Sequence, residues 1–61
     1  MKKYRVALAF SLDKVLFLVG DILYAENTGG PTYRLYSAKT RKTVGTMQES
    51  KFKTLLQEEN D

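Results

Sequence analysis

VLFLVGDILYAE, residues 15–26, decides how this chain is read. Residues 15–19 are apolar on both faces of an extended chain. Five residues rich in β-branched and aromatic types suit a strand better than a helix. Gly20-Asp21 then punctuates the run, with Gly permitting a kink or bulge, and residues 22–26 resume a strand. Alternation sets Val15, Phe17 and Val19 on one side and Leu16 and Leu18 on the other. Beyond Gly20, it sets Ile22 and Tyr24 against Leu23 and Ala25. A one-residue slip exchanges the faces, so alternation leaves open which set of residues 15–19 is inside.

On the N-terminal side, residues 3–10 (KYRVALAF) alternate in the same way, with Tyr4, Val6, Leu8 and Phe10 on one side. That period predicts a half-buried strand, followed by a turn at residues 11–14. On the C-terminal side, Asn27-Thr-Gly-Gly-Pro31 is the strongest loop signal. A strand is expected at 32–37, with Tyr33 and Leu35 opposite Arg34 and Tyr36. A basic turn follows, then a last strand at 42–47. A helix is expected at about 47–58: Thr46 with Glu49 fits a capping box, and Phe52, Leu55 and Leu56 make one apolar stripe. Strands near 3–10, 15–19, 22–26, 32–37 and 42–47 plus this helix make one domain over residues 1–61. Closing the five strands into a small barrel would remove exposed edges, with Phe52 and Leu55 plugging one end.

The stretches SLDKVLFLVGDIL (11–23) and YRLY…KTVGT (33–46) resemble an SH3-like barrel: an apolar segment, Gly-Asp-Ile-Leu, an aromatic strand and a short hairpin. The overall plan is similar to the small archaeal chromatin proteins, which pair a basic five-stranded barrel with a C-terminal helix, and to phage and plasmid accessory barrels. The resemblance implies a mainly β fold with a binding role. Chromatin proteins of this kind carry a Trp on the DNA-binding sheet and are far more basic. This chain has no Trp, so none of their contact residues carries over.

Composition narrows the chemistry. The 61 residues include no Cys and no His, so disulfides, Cys/His metal sites, Cys nucleophiles and His bases are excluded. Ser11, Ser37 and Ser50 have no His to activate them. Asp13 and Asp21 have simple roles in turns, and Gly29-Gly30 lacks the Lys-Ser/Thr and helix start of a phosphate loop. The chain is therefore expected to be a binding module, not an enzyme, with no cofactor, metal or small-molecule substrate. Asp13 and Lys14 break the N-terminal apolar run, which argues against a secretory leader, and nothing approaches the ~20 apolar residues of a membrane span. A cytoplasmic location fits.

Two surfaces are candidates. Leu16, Leu18 and Leu23 would form an outward apolar patch that takes a protein partner or a second copy of the chain. Alternatively, the C-terminal helix or the first strand covers them. The second candidate rests on charge. The net charge is +3, divided as +5 over residues 1–45 and −2 over residues 46–61. Arg34, Tyr36, Lys39, Arg41 and Lys42 would make a basic-aromatic patch for DNA or RNA. Its plainer reading is a core Tyr33, a half-buried Tyr36 and a solvated turn.

Overall fold

Strand alternation organises the computed structural model, which describes residues 1–59. Seven strands and one helix are assigned among them: β1 (Lys2–Val6), β2 (Phe10–Leu12), β3 (Val15–Phe17), β4 (Ile22–Asn27), β5 (Thr32–Ser37), β6 (Thr43–Gln48), α1 (Glu49–Leu55) and β7 (Leu56–Glu58). The fold is mainly β. Five strands form one antiparallel sheet in the order β6-β5-β4-β1-β7, and β2 and β3 form a separate hairpin.

The expected strand at 3–10 is two strands. β1 stops at Val6 because the chain there turns toward the helix end. The amides of Ala7 and Leu8 both donate to the Leu55 carbonyl, at 2.7 and 3.3 Å. The chain rejoins an extended path at Phe10. Asp13 and Lys14 both have positive φ, 49° and 68°, the requirement of the two-residue turn whose twist matches a hairpin. β3 ends at Phe17, short of Val19. The Leu18 carbonyl accepts the Asp21 amide at 2.9 Å, the Asp21 carboxylate accepts the Leu18 amide at 2.8 Å, and Gly20 supplies φ 96°. Residues 18–21 are thus a tight turn with glycine in its third place.

Strand β5 lies where alternation places it, at Thr32–Ser37. Leu35 pairs with Gly45 but Tyr36 pairs with Thr43, so Val44 is the extra residue of a bulge. The helix is shorter than expected. Thr46 is a β6 residue paired with Arg34, so it does not cap the helix. Gln48 takes the cap position without a side-chain bond, and the Glu49 amide donates to the Pro31 carbonyl at 2.8 Å. At Leu56 the backbone turns extended and pairs with β1 (Val6↔Leu56, Arg5↔Gln57, Tyr4↔Glu58). Closing an open edge of β1 outweighs the helical preference of Gln57 and Glu58.

Val6, Phe17, Leu23, Ala25, Leu35, Met47, Phe52 and Leu56 form the core. Phe52 hangs from the helix between two tyrosines, stacked on Tyr33 at 4.1 Å and edge-on to Tyr4 at 4.7 Å between ring centres. Phe10 stacks on Phe17 across the hairpin at 5.0 Å, which holds the hairpin to the core from its inner face.

Candidate functional site

Two surfaces stand out, and each begins from the parity of its strands. Around the hairpin, one face of β2 and β3 turns Phe10, Leu12 and Phe17 inward. The other face, with the following turn, leaves large apolar side chains in solvent. Leu16 is 63% exposed, Leu18 54%, Val19 66% and Leu8 53%; Val15 and Ile22 are also exposed. No backbone hydrogen bond joins β2 or β3 to another element of the described residues, so both outer edges of the hairpin are open.

Leu16 and Leu18 therefore lie where the patch reading puts them, and Leu23 does not. Leu23 is fully buried at the centre of the sheet, beside Ala25 and Leu35. Alternation divides Ile22 and Tyr24 from Leu23 and Ala25 correctly, but the second pair faces the core. Leu8 and Val19 are exposed in the segments flanking the hairpin, whereas Val15 is exposed on the opposite parity from Leu16 and Ile22 on the outward sheet face with Tyr24. The Gly20 amide donates to the Val6 carbonyl at 2.9 Å, which brings the turn after β3 beside the segment after β1. That backbone contact has no local sequence signal.

An open groove runs on the hairpin's other flank, between β2, the end of β6 and α1. Phe10, Leu12, Met47 and Leu55 contribute its apolar lining and Lys51 its charge.

The second surface is the outward face of the five-stranded sheet. Arg34 and Tyr36 flank the buried Leu35 and so share this face. Tyr36 pairs across the strands with Tyr24, and Arg34 with Glu26. From the turn between β5 and β6, the Arg41 guanidinium lies over the Tyr24 ring, 4.4 Å from its centre, and donates to the Tyr24 hydroxyl at 3.4 Å. Tyr36 donates to the Glu26 carboxylate. Ser37 shapes the turn: its Oγ accepts the amides of Lys39 and Thr40, at 3.2 and 3.3 Å, and its carbonyl accepts the Arg41 amide at 2.9 Å. Lys39 and Lys42 are exposed in this turn. Arg34, Lys39 and Lys42 form no ion pair among the described residues. Arg5, farther along the face, is neutralised by a two-pronged contact with Glu59 at 2.6 and 2.9 Å.

Arg34 and Tyr36 thus share one face, Arg41 reaches it over Tyr24, and Lys39 and Lys42 lie in the adjoining turn. The place of Tyr24 depends on the β4–β5 register, which local pattern does not reveal. Among the described residues, no three His, Cys, Asp or Glu side chains converge as metal ligands would, and no helix is long and apolar enough to cross a membrane. The Asp21 carboxylate is occupied in its turn.

Comparison with known proteins finds no match to the chain among protein-family models, curated proteins or solved structures.

Proposed function

We propose that this chain is a small, non-catalytic binding module on an SH3-like plan, and that the β2–β3 hairpin is its main contact surface, joining a second copy of the chain. The carrying observation is the exposure of Leu16, Leu18 and Val19 on a hairpin with open edges. Fully burying such a side chain contributes about 1.5–3 kcal/mol. With roughly half of each still in water, covering all three contributes on the order of 2–5 kcal/mol. A domain of 61 residues with no cysteine has no disulfide to support it. Two hairpins meeting outer face to outer face about a twofold axis would cover the leucines of both copies.

The SH3-like plan is supported by the layout: a hairpin inserted between the first two strands of the sheet, three strands in series, and a last short strand returning to the first. A cytoplasmic setting suits a chain without cysteine. Sedimentation velocity over a wide concentration range tests the reading. The expected result is a sedimentation coefficient that rises to that of a dimer. A monomer at every concentration would overturn it.

A further inference from the structure

The outward sheet face carries a second inference, independent of the hairpin. We propose that the face around Tyr24, Tyr36 and Arg41 binds single-stranded nucleic acid, with the Arg41 guanidinium as a stacking plane for a base and Arg34, Lys39 and Lys42 as phosphate contacts.

The first support is the geometry of Arg41. An arginine free in solvent gains little from a single pose. This one is laid on an aromatic ring at 4.4 Å and tethered to that ring's hydroxyl. Tyr24 occupies one side of the guanidinium and Arg41 is exposed, so a ligand can reach its other side. Guanidinium planes and aromatic rings are the platforms on which unpaired bases stack. Tyr36 stands beside Tyr24 in register, which widens the platform by one ring. Bases paired inside a duplex do not offer their faces, so the occupant is a single strand.

The second support is backbone conformation. Arg41 sits at φ 62°, a left-handed conformation that side-chain-bearing residues avoid. Glycine is the usual occupant of such a position. The fold tolerates the strain at the one turn residue whose side chain builds the platform, which is where strain and function tend to coincide.

The third support is charge. Arg41 lies over one ring, Arg34 shares the strand face, Lys39 and Lys42 are exposed in the adjoining turn, and Glu26 is the carboxylate opposite Arg34, engaged by Tyr36. Cations thus outnumber Glu26 here, which makes this part of the face complementary to a phosphate chain.

Fluorescence anisotropy with labelled oligo(dT) and oligo(rU), a duplex of equal length and heparin as competitor tests the proposal. Three phosphate contacts on a single strand give a slope of log K against log salt of about −2, or about twenty-fold weaker binding at 200 mM than at 50 mM salt. Both single strands should bind tighter than the duplex. Arg41→Lys keeps the charge and loses the plane, so it should lower affinity about ten-fold with little change of slope. Arg41→Gly relieves the backbone strain, so the domain stays folded while binding falls at least as far, again with little change of slope. Glu26→Gln should tighten binding severalfold. Absence of binding at 50 mM salt would overturn the proposal, as would equal binding of duplex and single strand. So would an Arg41→Lys variant as strong as the parent.

Discussion

Gly45 of β6 lies directly under Leu12 of the hairpin: a Cβ on Gly45 would stand 2.8 Å from Leu12 Cδ2 and 3.0 Å from Leu12 Cγ. The Asp13 carboxylate is close by, at 3.1 Å. The hairpin therefore rests on the one β6 residue that has no side chain, and its φ of 155° is unfavourable for any other. This seating decides how the hairpin presents its outer face.

Replacing that glycine tests the seating. Gly45→Ala forces Leu12 aside and strains β6, and it should destabilise the domain by about 1–3 kcal/mol. Urea unfolding would read it as a lower midpoint. An unchanged midpoint would show that the hairpin does not depend on this contact.

The hairpin turn offers a change of opposite sign. Lys14 holds φ 68° in a turn that favours glycine at its second place. Lys14→Gly should stabilise the domain by roughly 0.5–1 kcal/mol, the left-handed strain relieved less the extra freedom of the unfolded chain. The check is a higher urea midpoint at unchanged slope.

Leu23 and Leu18 differ in burial but not in chemistry, so truncating each separates core from surface. Leu23→Ala opens a cavity and should cost about 2–5 kcal/mol. For 61 residues at roughly 0.05–0.15 kcal/mol each, total stability is about 3–9 kcal/mol, so this variant should be largely unfolded at mild urea concentration. Leu18→Ala should shift the midpoint of the dissociated chain by less than about 1 kcal/mol. Equal effects would place Leu18 in the core.

Tyr4 gives a pH dependence. Burial first, then the Glu58 carboxylate and Tyr33, raise its hydroxyl pKa above the ordinary value of 10.0. The folded state holds this proton more tightly than the unfolded state. The contribution is therefore fully present below pH 10 and is lost as pH rises through the higher folded-state value. Tyr4→Phe keeps the ring against Phe52 and removes that dependence. Urea midpoints measured from about pH 8 to about pH 11 should fall less steeply in the variant; parallel curves would assign the alkaline loss elsewhere.

These features were legible in the sequence to different depths. β5 was readable to the residue, because Tyr33-Arg-Leu-Tyr36 alternates between Pro31 and a basic turn. The break after Val6 was not: residues 7–9 keep alternating, and what stops the strand is a carbonyl at Leu55. β7 was hidden for a similar reason, since Leu56 completes the helical stripe but is drawn into pairing by the edge of β1. The parity of Leu23 was local, but its side was set by sheet packing. The Arg34–Tyr36 face was legible as a pair, whereas Tyr24 beneath Arg41 required the register between β4 and β5.

Leu18→Asp, placed on the exposed turn that follows the hairpin, bears most directly on the hairpin's role. Sedimentation velocity of parent and variant, with circular dichroism confirming the same fold, should show a dimer for the parent and a monomer for the variant. A variant that sediments as the parent does, whether both are dimers or both monomers, would contradict the assignment of the hairpin as the contact surface.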